Sequence, residues 1–232
     1  MKRKLALLLC LATFAFAVPA RAADVFLLGF TGFDYEDPDQ NDPDPDGANY
    51  LNVGDGYKAV GFITSFGAPL TPYVNPSYEH TFHIFNLSVT QHDWDAPNQF
   101  LSVLFAPAGR VRYYEDNTTP GTYGVNHPNG TAPGSFTDGT MFLGGRLDDF
   151  VVFYDYSVNQ GGFSGTMTLD EGADLIYIDP AQRNGWLIGG QAGRPNETIP
   201  TGYDNQISGE ARIPGVTPAH TRSWGAVKAL YR

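Results

Sequence analysis

The sequence predicts an all-β fold: a single antiparallel β-sandwich or jelly-roll-like domain with long loops. The 27 glycines and 17 prolines interrupt the chain at short intervals, and aromatic and β-branched residues fill the spaces between them. No segment before the C-terminal tail shows a helical period. This pattern is typical of many short strands joined by turns. We expect a sandwich rather than a closed barrel that carries a lipid.

The alternation of apolar and polar residues predicts eleven strands. Within residues 78–91, the apolar phase runs through Phe82 and Ile84 and then shifts to Phe85, Leu87 and Val89. A shift of one residue exchanges the two faces of a strand, so we expect a β-bulge near Ile84–Phe85. The strands are predicted at 24–30, 57–66, 78–91, 99–106, 110–115, 140–145, 147–155, 162–169, 174–178, 186–190 and 206–213.

The two ends of the chain differ in composition from the domain between them. Residues 1–22 have a basic start, an apolar stretch and Ala20-Arg21-Ala22, which together predict a signal peptide of bacterial type that is cleaved before Ala23. Residues 23–213 are the expected β-sandwich domain. Residues 214–232 are a Pro- and Gly-containing linker and a short tail. We therefore expect a secreted protein, located in the periplasm, on the cell surface or outside the cell.

The charge balance limits the partners that the mature chain can take. Removal of residues 1–22 leaves 10 basic residues against 25 acidic ones, a formal net charge of −15. Binding to nucleic acid requires a basic face, so the sequence disfavours that class. We also expect no membrane span, because the apolar stretch of the signal peptide is short. The oligomeric state is not predicted.

An acidic segment between residues 34 and 47 predicts a calcium site. Three prolines follow aspartates in this segment and favour extended or turn-like backbone. Closely spaced carboxylates repel one another unless a hard cation lies among them, and Ca²⁺ prefers oxygen ligands. No glutamate occupies position 12 counted from Asp42, so the segment is not an EF-hand; the alternative is a solvated acidic loop. The predicted ligands are Asp37, Asp39, Asp42, Asp44 and Asp46.

Aromatic residues in or beside predicted loops form the second candidate site. Flat aromatic rings stack on the apolar faces of sugars and also anchor protein partners. The alternative is that a β domain this rich in aromatics exposes some tyrosines without a function. The predicted binding residues are Trp94, Tyr113, Tyr114 and Tyr123.

These features favour a secreted, non-catalytic protein that binds a glycan or a surface protein, with calcium ordering its acidic segment. No nucleophile elbow is present, and we predict no catalytic residue. Adjacent carboxylates at Glu115–Asp116, Asp148–Asp149 and Asp170–Glu171 leave a polysaccharide-active hydrolase or lyase as an alternative. A structural subunit of an envelope assembly is a third alternative, which a long exposed strand edge would favour.

Overall fold

The computed structural model describes residues 24–36, 51–123, 134–194, 199–200 and 202–213. Residues Val25–Ile213 form one compact unit. Its nine strands are β1 (Val25–Glu36), β2 (Gly56–Phe66), β3 (Glu79–Asp95), β4 (Phe100–Phe105), β5 (Gly109–Asp116), β6 (Thr140–Asp155), β7 (Gln160–Glu171), β8 (Trp186–Gly193) and β9 (Asn205–Ile213). Short 3-10 helices lie at Gly134–Phe136, Ala173–Tyr177 and Pro180–Gln182. In the described part of the chain, no helix is long and apolar enough to cross a membrane.

The strands close into an antiparallel barrel, so the prediction of a sandwich or jelly roll is wrong and only its all-β class is confirmed. Consecutive strands pair with one another except for β4 and β5, and β9 pairs with β1 to complete the ring. Strands β4 and β5 share one of the eight positions in the barrel, because both pair with β3 on one side and β6 on the other. Closure depends on the pairing of the first strand with the last, and alternation within single strands does not report it.

The interior of the barrel is filled by side chains. Phe30, Phe82 and Phe163 are buried and lie close together, with ring centroids 4.9 Å apart for Phe30 and Phe82 and 6.1 Å apart for Phe30 and Phe163. Facing glycines leave room for them: a Cβ atom at Gly209 would lie 2.8 Å from the Phe30 ring and 3.0 Å from the Phe163 ring. Large rings therefore pack against glycines across the interior, which is one way to reach the close packing that protein cores need.

A second apolar cluster lies on the outside of the barrel wall. Tyr35, Val60, Phe136 and Tyr203 are buried there. The connection between β5 and β6 reaches this cluster through Phe136, whose backbone carbonyl accepts a hydrogen bond from the Thr81 hydroxyl at 2.8 Å. The described residues of the β5–β6 connection are therefore held against the barrel wall by apolar packing.

The structure confirms the predicted bulge and corrects two of the strand predictions. The bulge predicted near Ile84–Phe85 is confirmed, because the β2–β3 register shifts there and Asn86 has φ 58°. The strand predicted at 174–178 is wrong, since Ala173–Tyr177 is a 3-10 helix. A short apolar run does not by itself distinguish a strand from a helical turn. In addition, the strands predicted at 140–145 and 147–155 are one strand, β6.

The barrel has two ends, which carry the candidate sites. We call the end where β1, β3, β6 and β8 finish the upper end, and the end where β2, β5 and β7 finish the lower end. Strand β1 ends and β2 begins at the upper end, and the acidic residues from 37 onward lie between these two strands in the sequence. The connections after β2 and after β7 lie at the lower end.

Candidate functional site

The four predicted binding aromatics do not share one surface. Trp94 is partly buried near the upper end and packs edge-on against Tyr156, with ring centroids 5.4 Å apart. Tyr113 faces the barrel interior and is completely buried, and Tyr114 is 8% exposed. Tyr123 packs against the outer cluster, 4.7 Å from the Phe33 ring. The expectation that Tyr113 and Tyr114 are exposed is therefore wrong, while a binding role for the four residues stays a prediction.

The five predicted calcium ligands, Asp37, Asp39, Asp42, Asp44 and Asp46, lie outside the described residues. The described residues on either side of this segment are joined by hydrogen bonds. The Glu36 carboxylate accepts a hydrogen bond from the backbone N–H of Leu51, and the backbone N–H of Glu36 donates to Asp204 Oδ2 at 3.1 Å. Glu36 and Leu51, the described residues on either side of positions 37–50, thus form a hydrogen-bonded base at the upper end.

A buried carboxylate lies in the barrel beneath this base. Asp34 has no exposed surface. Its Oδ1 accepts the backbone N–H of Asn205 at 2.7 Å, and its Oδ2 accepts the Tyr57 hydroxyl at 3.2 Å. Burial, together with the charge of Asp34, raises the pKa of Tyr57 well above its ordinary value, so Tyr57 remains a donor. Asp34 thereby joins β1, β2 and β9 at the upper end, which gives it a structural role.

At the lower end, two exposed tyrosines stack on each other. Tyr73 lies in the connection after β2, and Tyr177 ends the 3-10 helix after β7. Their rings are parallel within 3°, with centroids 3.4 Å apart. The two side chains are 49% and 39% exposed, and the neighbouring Ile176 is 75% exposed. Exposed aromatic and aliphatic side chains grouped in this way mark candidate contact surfaces.

Two carboxylates and a histidine lie at the same end. His80 and Glu115 are opposite each other on β3 and β5, with His80 Nε2 4.0 Å from Glu115 Oε2. Burial raises the pKa of Glu115, and the nearby charge of Asp174 raises it further. Burial also raises the pKa of Asp174. Asp174 and Tyr177 are three residues apart on the 3-10 helix, so they project from the same side of it.

The His80 ring is held in one orientation by its surroundings. It packs edge-on against Phe66, with ring centroids 4.8 Å apart, and against Phe142. Burial lowers its pKa, although a hydrogen bond with the backbone of Tyr78 raises it in part. Because Nε2 has no hydrogen-bond partner among the described residues, that bond uses Nδ1. A neutral imidazole that donates from Nδ1 leaves Nε2 as an acceptor.

The other adjacent carboxylates have partners. Glu171 lies over Gly144 and accepts from Arg112 Nε at 2.9 Å and from Arg110 Nε at 3.2 Å. Burial raises the pKa of Glu171, but the two guanidinium groups lower it by more, so the pKa is below its ordinary value. The hydroxyl of Thr168 and Arg146 likewise lower the pKa of Asp148 against the effect of burial. Ionised carboxylates with strong partners are poor proton donors, so these pairs are best explained as parts of the outer wall.

Sequence reasoning missed the group formed at the lower end by His80, Glu115 and Asp174, because these residues lie in three separate parts of the chain. The signal for part of it was present: pairing of the predicted strands at 78–91 and 110–115 in the correct register places His80 opposite Glu115. The incorrect strand prediction at 174–178 gave no reason to place Asp174 and Tyr177 on the same side of one element. Among the described residues, no three His, Cys, Asp or Glu side chains are arranged to hold a metal ion.

Comparisons with protein-family models, with curated proteins and with solved structures gave no match. The function of this chain is therefore inferred from its own fold and side chains.

Proposed function

We propose that this protein is a secreted, non-catalytic binding protein that contacts a glycan or another surface protein through the lower end of its barrel. The stacked pair Tyr73–Tyr177 beside Ile176 carries this proposal. Tyrosine supplies a large, rigid contact area with a polar tip, and such residues are enriched where proteins bind partners. Among the described residues, large buried side chains occupy the barrel interior, which favours a site on the surface.

Calcium belongs to the same proposal, at the opposite end of the barrel. Asp37, Asp39, Asp42, Asp44 and Asp46 would supply oxygen ligands to a cation that orders the connection between β1 and β2. The hydrogen-bonded base formed by Glu36, Leu51 and Asp204 supports this role, because it brings the two ends of the segment together. A segment with fixed ends loses less conformational entropy when an ion orders it.

The proposal is tested by comparing the mature wild-type chain with the double variant Tyr73→Ala/Tyr177→Ala on a printed glycan array and on isolated cell-envelope fractions. We expect the variant to lose binding at least tenfold. A matched control is Phe100→Ala/Leu104→Ala, which removes two apolar side chains of similar exposure from β4. Equal binding by the wild type and the tyrosine variant, with loss in the control, would overturn the assignment of the lower end.

A polysaccharide-active enzyme is a second candidate, favoured by one observation. Glu115 and Asp174 lie near the exposed tyrosines, and both have a raised pKa, as a general acid requires. Release of reducing sugar ends from a polysaccharide, abolished by Glu115→Gln, would establish the enzyme. Glycan binding without turnover would retain the non-catalytic proposal.

The third alternative, an assembly subunit, is less well supported. Each of the nine described strands pairs on both sides, so what the described sheet leaves open to another chain is short strand ends, such as the part of β3 beyond Val89 that pairs with β4 alone. An assembly role would therefore depend mainly on side-chain contacts.

A further inference from the structure

The lower end also contains hydrogen-bond acceptors without donors. His80 Nε2 and Glu115 Oε2 face each other across 4.0 Å, a distance too long for a direct hydrogen bond. The His80 side chain is 6% exposed, and its Nε2 has no hydrogen-bond partner among the described residues. A buried polar atom of this kind is costly unless something donates to it. A donor group that lies to one side of the line joining these two atoms is within hydrogen-bond distance of both.

The charges around this gap are negative. Within the described part of the chain, neither Glu115 nor Asp174 accepts a hydrogen bond. The charge that acts on Glu115 is that of Asp174, and the Glu115 side chain is 29% exposed. Arg110 and Arg112, on the same strand as Glu115, are instead occupied by Asp170 and Glu171. A ligand that carries both positive charge and N–H donors would satisfy the two carboxylates and the imidazole together.

The space beside His80 has apolar walls. A groove of about 530 Å³ shares His80 with this site and is lined by Phe66, Val74, Pro76 and Tyr78 among others. Its volume lies within the range of about 300–1,000 Å³ that is usual for ligand pockets. Lysine and arginine bury an apolar stem and keep a charged head at a polar position. The apolar groove that includes His80, together with the Glu115 carboxylate beside that histidine, fits a side chain of this kind better than a neutral sugar.

We propose that His80, Glu115 and Asp174 form a receptor for a basic side chain of a partner protein, with Tyr73 and Tyr177 forming the adjoining contact surface. This inference rests on the proposed function and specifies its partner. The guanidinium or ammonium group donates to Glu115 and to His80 Nε2, while Asp174 contributes the second negative charge. The exposed tyrosine faces offer a cation–π contact to neighbouring basic groups of the partner.

The experiment titrates the mature chain with acetyl-Gly-Arg-Gly-amide and follows the His80 ring signals by NMR. Two further probes replace the arginine by citrulline, its neutral isostere, or by glutamate. We expect saturable binding of the arginine peptide that is at least tenfold tighter than binding of either other peptide. Equal binding of the arginine and citrulline peptides, or no saturable binding of the arginine peptide, would overturn the receptor.

Three variants locate the binding on the protein. Glu115→Gln and Asp174→Asn should each weaken binding of the arginine peptide at least tenfold. Asp174 lies outside the strands, so its substitution tests the site even if Glu115→Gln disturbs the wall. Asp93→Asn, an exposed acid at the upper end, makes the same change in charge and should bind as the wild type does. Unchanged binding by both lower-end variants would overturn the assignment.

The failure of this inference is distinguishable from failure of the proposed function. A glycan whose binding needs Tyr73 and Tyr177 but is unaffected by Glu115→Gln and Asp174→Asn would overturn the basic-side-chain receptor and leave the lower-end binding surface in place. Loss of arginine-peptide binding in the carboxylate variants, together with unchanged array and envelope binding in the tyrosine variant, would support the receptor and overturn the tyrosine surface.

Discussion

The two ends of the barrel use carboxylates in opposite ways. At the upper end, Asp34 is completely buried but accepts hydrogen bonds from Asn205 and Tyr57, and the Glu36 carboxylate accepts the backbone N–H of Leu51. At the lower end, burial raises the pKa of Glu115 and of Asp174. The comparison shows that burial does not by itself distinguish a structural acid from a functional one; the donors around it do.

The largest expected effect is the loss of the Asp34 carboxylate. Asp34→Ala leaves the buried Asn205 N–H and the Tyr57 hydroxyl without their acceptor, so we expect the free energy of unfolding to fall by about 3–5 kcal/mol. Urea unfolding followed by far-UV circular dichroism measures the change. Asp93→Ala, at an exposed position of the same end, should change stability by less than about 0.5 kcal/mol. A similar small loss for Asp34→Ala would show that the upper-end network is not structural.

The next largest effect is expected from calcium at the upper end. Extracellular modules bind calcium with dissociation constants of about 10⁻⁴ to 10⁻³ M. Binding to the folded state alone at several millimolar calcium should therefore add about 1–3 kcal/mol to the free energy of unfolding. We expect the melting temperature to rise by several degrees, and by less with magnesium, which demands strict octahedral geometry.

A triple variant locates the calcium effect. Asp42→Asn/Asp44→Asn/Asp46→Asn should abolish the rise in melting temperature without unfolding the chain. The matched control replaces three exposed acids elsewhere, Asp93, Asp95 and Asp179, by asparagine and should keep the rise. If the wild type shows neither a heat of binding nor a shift in melting temperature, the acidic segment is a solvated loop.

The smallest effect is expected at the lower end, and its sign is opposite to that of Asp34. Glu115→Gln/Asp174→Asn removes two carboxylates that burial disfavours, so we expect the free energy of unfolding at pH 7 to rise by up to about 1 kcal/mol. A folded-state pKa above the unfolded value means that ionisation costs stability at neutral pH, and the cost disappears as pH falls below the unfolded pKa. The advantage of the variant should therefore shrink between pH 6 and pH 4. A variant that is less stable than the wild type at pH 7 would show that these acids have stabilising partners.

Local pattern was enough to predict the all-β class and the bulge in β3, because both depend on the burial of alternate residues within one strand. Arg110 and Arg112 alternate with Val111 and Tyr113 along the sequence, so Tyr113 shares a face with Val111, and that face is the interior. The sequence therefore already contained the reason why Tyr113 is not at the surface.

The closed ring and the lower-end site could not be predicted in the same way. Closure requires that β1 pairs with β9, whose residues are far apart along the chain. The site requires the register of β3 against β5 and the position of the 3-10 helix Ala173–Tyr177. These are long-range properties, and the local pattern at 174–178 fitted a strand as well as a helical turn.

The most direct test of the contrast between the two uses of carboxylates is an NMR pH titration of the carboxyl carbons of Glu115 and Asp174 in the mature chain, with Glu171 as the internal reference. We expect Glu115 to titrate above its ordinary value of 4.5 and Asp174 above 3.8, while Glu171, held by Arg110 and Arg112, titrates below 4.5. Values for Glu115 and Asp174 at or below those ordinary values would show that both acids already have donors. That result would contradict the proposal that the lower end binds a basic side chain.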